Sequence, residues 1–145
     1  MLESGPIEIF KSQFVYQRGI SDCGVACLMS MIQLLGRNCH YETILKTSNC
    51  SIRGTNILGL QNAAKLYNFK VEAFRFISLN DLKNEATFPC ILLIKKYFLL
   101  NHYVICCEKP KGSLTLVFDP SKGFRLWGRE DFLKFWKLKI ALIVK

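Results

Sequence analysis

A chain of 145 residues is the length of one domain and can bury roughly two-thirds of its unfolded surface, so it needs no disulfide staple. Half of its residues are hydrophobic, 12% are aromatic and only 21% are charged, which excludes disordered, low-complexity and coiled-coil chains. The net charge of +9, from 20 basic and 11 acidic residues, admits nucleic acid, an anionic membrane or an acidic peptide as partner and does not choose among them.

The first 16 residues mix polar and apolar positions without a period and read as an extended arm. Ser21-Asp22 then opens an almost wholly apolar segment, Cys23 to Leu35, closed by Gly36. N-cap residue types at one end, a C′ glycine at the other and only Ser30 and Gln33 as polar members predict a buried central helix. A short helix is expected near Tyr41 to Thr47. Gly54-Thr55 caps another, with Ile57, Leu58, Leu60, Ala63, Ala64 and Tyr67 on its buried face.

After Asn68 the pattern changes. Phe69 to Phe76 alternates as a strand does, and Ser78 caps a short helix over Leu79 to Asn84. Pro89 precedes Cys90 to Ile94, an apolar run short enough for a central strand. Tyr103 to Glu108 and Leu114 to Phe118 flank a Pro110-Lys-Gly-Ser113 turn and read as a hairpin. Asp119 to Gly123 is a second turn, leading to a strand near Phe124 to Trp127. A helix around Glu130 to Trp136 and a strand over Ile140 to Val144 follow. Helices first and a mostly antiparallel sheet second make an α+β fold in a single domain over 1–145, helical from about 17 to 68 and sheet from about 69 to 145.

Seven cysteines cannot all pair within one chain, and the N-terminus lacks a signal-peptide pattern; both favour a compartment where thiols stay reduced. The spacings, Cys23-x₃-Cys27, isolated Cys39, Cys50 and Cys90, and adjacent Cys106-Cys107, contain no zinc knuckles. The longest apolar stretch, Ile91 to Cys107, is broken by Lys95, Lys96, Asn101 and His102 and is no membrane span.

Cys23 stands out by position. A thiol in the first turn of a helix feels the positive end of the macrodipole and free N–H groups, both of which favour the nucleophilic thiolate. A small buried hydrophobe is the plainer reading of any one cysteine, and Cys27, a turn deeper, fits it. A base must come from His40 or His102, and His102 is favoured because it leads into an apolar strand that holds it rigidly. Asp119 ends the next strand of the hairpin, 17 residues after His102, and can orient the imidazole; it also suits the first position of an Asp-Pro turn. Asp22, the competing carboxylate, is better explained as a helix cap. Stabilising an oxyanion calls for the backbone N–H of Cys23 and a second donor, for which the side-chain amide of Gln17, six residues upstream, is the candidate.

Taken together, Gln17-x₅-Cys23 within Gln17-Arg-Gly-Ile-Ser-Asp-Cys-Gly-Val-Ala-Cys-Leu28 resembles the N-terminal peptidase domain of peptidase-containing ABC transporters, the double-glycine leader peptidases. Arg53-Gly-Thr55, Pro89-x-Ile91, His102-Tyr-Val-Ile105, Val117-Phe-Asp-Pro120, Trp136 and Ala141-Leu-Ile-Val144 continue the resemblance over essentially the whole chain. It implies a papain-like cysteine protease fold, with Cys23 as nucleophile, His102 as general base and acid, Asp119 orienting the imidazole and Gln17 in the oxyanion hole. It further implies cleavage after a Gly-Gly or Gly-Ala pair in bacteriocin, lantibiotic-like or pheromone precursors, on the cytoplasmic side of a bacterial membrane, with no metal or other cofactor.

The precursor's leader is expected to bind as an amphipathic helix in an apolar groove, for which Tyr67, Phe69, Phe74 and Phe76 are candidates. Membrane-spanning and nucleotide-binding parts of a transporter are the other implied partners. A non-catalytic leader-docking module is the alternative, against which the presence of Cys23 speaks. Residues 109–145 hold nine basic and three acidic residues, +6 of the total charge, against +3 in the remaining 108. With no stacking platform or nucleic-acid module in the sequence, this excess suits an acidic leader or an anionic leaflet better than nucleic acid.

Overall fold

In the computed structural model, which describes residues 10–96 and 100–145, helix α1 spans Cys23–Leu34. Its Val25, Ala26, Cys27, Leu28 and Ile32 are fully buried, and each large apolar side chain so placed contributes about 1.5–3 kcal/mol. The helix ends as its glycine predicts, with Gly36 at φ 89°, a conformation that L side chains avoid. Helix α2 (Tyr41–Thr47) and helix α3 (Ile57–Lys65) pack beside it.

The α3 cap differs from expectation. Asn56 is the N-cap, its side-chain oxygen accepting from the Gly59 N–H at 2.8 Å, whereas the Thr55 hydroxyl donates to the Ser48 carbonyl at 2.8 Å. Thr55 therefore ties α3 to the end of α2. Leu58, placed on the buried face by period, is exposed.

A six-stranded sheet forms the other layer: β1 (Val71–Arg75), β2 (Cys90–Lys96), β3 (Leu100–Cys106), β4 (Thr115–Asp119), β5 (Gly123–Trp127) and β6 (Ile140–Val144). Their spatial order is β1-β6-β2-β3-β4-β5, and every pairing is antiparallel. The architecture is the expected α+β one. Strand β1 is shorter than the alternation suggested, because it pairs only with β6 at the sheet edge.

Strand β2 reads as continuously apolar because both sheet faces are covered. Ile91 and Leu93 join the core beneath α1–α3, while Cys90, Leu92 and Ile94 join a second core. Helices α4 (Leu79–Glu85, capped by Ser78) and α5 (Arg129–Phe135) close that second core with Leu82 and Phe132.

The expected extended arm lies outside the described residues over 1–9. Its described part instead begins with a turn of 3-10 helix, Lys11–Gln13. The two polar residues of α1 hold this segment. The Ser30 hydroxyl accepts from the Val15 N–H at 2.8 Å and donates to the Ala26 carbonyl, and the Gln33 amide donates to the Gln13 carbonyl at 3.0 Å. Phe14 then packs on Phe118 and Phe124, ring centroids 5.1 Å apart in each pair.

Candidate active site

Cys23, His102 and Gln17 line one hollow of about 1120 Å³, together with Thr55, Tyr103 and Lys96. Each arrives from a different element: Cys23 from the head of α1, His102 from β3, Gln17 from the segment leading into α1. Close approach of α1 to β3 depends on Gly24, where a Cβ would lie 2.9 Å from Thr55 Cγ2 and 3.1 Å from the Tyr103 ring.

Asp119 stands behind His102. His102 Nε2 is 2.7 Å from Asp119 Oδ1, and the same oxygen accepts from the Ser121 N–H at 2.9 Å and the Ser121 hydroxyl at 2.7 Å. Burial works against a charge on His102, yet its hydrogen bonds to Asp119 and Cys23 and their charges outweigh that and raise its pKa. Burial likewise opposes ionisation of Asp119, and the hydrogen bonds from His102 and Ser121 hold its carboxyl well below the usual range. Both shifts favour an imidazolium on a carboxylate. Burial pushes up the other six thiols, Cys27 and Cys90 well above the ordinary thiol value and Cys106 to about 12, so they are poor nucleophiles at neutral pH. The second histidine, His40, is exposed and outside the hollow.

The Gln17 backbone N–H donates to the Pro120 carbonyl at 2.9 Å, which ties this segment to the turn after Asp119. Its side-chain Nε2 donates to the Gly19 carbonyl at 2.7 Å, while Oε1 is buried without a hydrogen-bond partner. The Gly19 bond uses one of the two amide protons and leaves the second for a ligand.

Asp22 occupies the N-cap position of α1 but does not cap it through its side chain. Its carboxylate turns back and accepts from the Arg18 N–H at 2.9 Å, the Gly19 N–H at 2.8 Å and the Tyr41 hydroxyl. Burial alone would raise its pKa; these bonds lower it. Arg18 lies over the Tyr41 ring, 4.0 Å from its centroid. Asp22 thus pins the loop between Gln17 and Cys23. Sequence reading missed that, because an N-cap carboxylate facing backwards looks the same in the sequence as one facing forwards.

Of the four groove candidates, Phe69 and Phe74 line a second hollow of about 620 Å³ between α3 and β1, with Leu58 lining both hollows. Tyr67 lies outside both hollows, its hydroxyl accepting from the His40 N–H at 3.2 Å. Phe76 is buried in the second core against Trp136. No sequence motif singles out Ile20 and Ile52, which are 97% and 89% exposed on the rim of the first hollow, or Lys96 and Ser121.

Helices packed on an antiparallel sheet, with a cysteine at the head of the buried helix and a histidine on the facing strand, are the α+β arrangement of papain-like cysteine peptidase domains. The model of the Peptidase C39 family matches residues 11–145, and the chain belongs to that family.

Among proteins of known sequence, it is 26% identical over 122 residues to a probable microcin-H47 secretion/processing ATP-binding protein of Escherichia coli. It is 29% identical over 128 residues to the lactococcin-A transport/processing ATP-binding protein of Lactococcus lactis subsp. lactis. These alignments cover 84% and 87% of the chain but only 16% and 18% of the relatives, so the chain corresponds to under a fifth of either protein.

Among solved structures, it is similar to a double glycine motif protease from an AMS/PCAT transporter in complex with the leader peptide. The TM-score is 0.80 at 28% identity, over 90% of this chain and 89% of the other. The peptidase domain of Streptococcus ComA, a bi-functional ABC transporter, gives a TM-score of 0.77 at 25% identity, over 90% and 95% of the two chains.

Proposed function

We propose that this domain is a cysteine endopeptidase that cuts the leader from an exported peptide precursor after a Gly-Gly or Gly-Ala pair. The observation that carries the reading is the convergence of Cys23 and His102 in one hollow, with Asp119 2.7 Å behind the imidazole. In this reading the Cys23 sulfur attacks the scissile carbonyl carbon, and the resulting oxyanion takes hydrogen bonds from the Cys23 N–H and the Gln17 amide. His102 gives its proton to the leaving amine, and a thioester to Cys23 remains. Water then attacks the thioester, His102 taking its proton and returning it to the sulfur as the leader's carboxylate departs. Asp119 keeps the ring oriented throughout.

Leader docking is supported by the second hollow at Phe69 and Phe74, which shares Leu58 with the first. It is also supported by the similar protease that was solved with a leader peptide. The relatives' names, transport and processing ATP-binding proteins, support a place beside an ABC transporter on the cytoplasmic side, with bacteriocin- or pheromone-type precursors as substrates.

The test is mass spectrometry of a panel of precursor peptides incubated with wild type and Cys23→Ala. Wild type should release one leader fragment ending in the small-residue pair. Cys23→Ala should lose at least about 10⁴-fold in rate while still binding the leader. Undiminished cleavage by Cys23→Ala would end this reading.

A further inference from the structure

Lys96, at the end of β2, reaches the turn after β4. Its ammonium donates to the Ser121 hydroxyl at 2.9 Å and lies 3.7 Å from Asp119 Oδ2, and both charged side chains are largely withdrawn from solvent. Strand register brings them together. Ile94 lies opposite His102 on β3, and the two-residue period sets Lys96 on the same side of β2 as Ile94.

An ammonium can only donate and a carboxylate can only accept, so the Ser121 oxygen accepts from Lys96 and sends its own proton to Asp119 Oδ1. That carboxylate oxygen then accepts from His102 Nε2. The ammonium at one end and the acceptor-only carboxylate at the other leave one direction for every bond in the row. A neutral His102 therefore carries its proton on Nε2, leaving Nδ1 as the basic nitrogen for Cys23.

We propose that Lys96 and Ser121 are positioning residues that hold Asp119 and set the upper pH limit of the Cys23–His102 pair. The proposal rests on the roles given to Cys23, His102 and Asp119 above. Among the described residues, the titratable groups around His102 are Cys23 and, a turn deeper, Cys27 on α1, Asp119 on β4, Lys96 on β2 and its neighbour Tyr103 on β3. Among them Lys96 is the cation. Its charge offsets part of that on Asp119 and so opposes the imidazolium. Removing it stabilises the imidazolium, and the alkaline limb of the activity profile moves to higher pH.

The test is the pH profile of precursor cleavage, and in parallel of Cys23 alkylation by iodoacetamide, which needs no turnover. It compares wild type with Lys96→Met, Lys96→Arg and Ser121→Ala. The alkaline limb should rise by on the order of half to one pH unit in Lys96→Met. Ser121→Ala should move it the same way by less, and Lys96→Arg should restore the wild-type limb. Superimposable profiles for wild type and Lys96→Met, or an equal shift in Lys96→Arg, would overturn the proposal. Should Lys96→Met not fold, Ser121→Ala decides: an unmoved limb rejects the proposal. Cleavage that survives in Cys23→Ala would instead defeat the assignment of the site itself, which keeps the two failures apart.

Discussion

At the scale of single residues, the site is a contest between burial and hydrogen bonding. Burial opposes charge on both His102 and Asp119, and in each the partner's hydrogen bond prevails. The consequence for stability has a definite sign. Asp119, lowered on folding, stabilises the fold above its ordinary value of 3.8 and loses that contribution as pH falls below it. His102, raised on folding, contributes fully below 6.5 and loses its contribution as pH rises through the raised value. Stability from the pair is therefore greatest between 3.8 and 6.5. Melting temperature measured across pH should fall away on both sides of that window in wild type and be flatter in Asp119→Asn.

The same balance governs the thiols. The six cysteines whose pKa values burial raises should react slowly with iodoacetamide at neutral pH. The proposed nucleophile, Cys23, should be the first alkylated in a peptide-mapped time course. Equal labelling of all seven would contradict the assignment.

At the scale of elements, α1 organises the site from both its head and its body. Its head meets β3 where Gly24 lets Tyr103 and Thr55 close in. Gly24→Ala should force these apart at a cost of about 1–3 kcal/mol in urea unfolding, and lower kcat more than it raises KM. Along its body, Ser30 holds the Val15 N–H. Ser30→Ala leaves that donor without its partner and should cost about 1–3 kcal/mol, with a loss of kcat transmitted through the displaced Gln17 segment.

The helix itself was legible from its apolar run and end residues. The use of Ser30 and Gln33 was not, because two polar residues in a buried helix say that partners exist without saying which. Thr55 and Asn56 show the same limit. Both are capping types, side by side, and only the packing of α2 against α3 draws Thr55 away to the Ser48 carbonyl.

At the scale of the whole molecule, the hollow between α3 and β1 lies beside the one at the head of α1, with Leu58 lining both. Phe74, 45% exposed on an edge strand, has no core role to lose. Phe74→Ser should therefore raise KM for a full-length precursor about fivefold, equivalent to about 1 kcal/mol of apolar contact. It should leave kcat and the alkylation rate of Cys23 unchanged. An unchanged KM would remove the second hollow from leader docking. Phe76, just past the end of β1, is buried in the second core although its ring centroid is 6.3 Å from that of Phe74, so neighbouring aromatic residues divide between surface and interior.

The order of elements, the buried helix behind Cys23 and the hairpin that carries His102 and Asp119 were all determined by local sequence. They follow from period, end residues and turn types, which act over a few positions. The reversed carboxylate of Asp22, the anchoring of Gln17 to Pro120, the division of Phe69, Phe74 and Phe76, and the Lys96–Ser121–Asp119–His102 row were decided only by the tertiary structure. Each depends on which of several chemically suitable partners, as many as 103 residues away in the case of Gln17 and Pro120, arrives within hydrogen-bonding or packing distance. Local sequence holds no record of that.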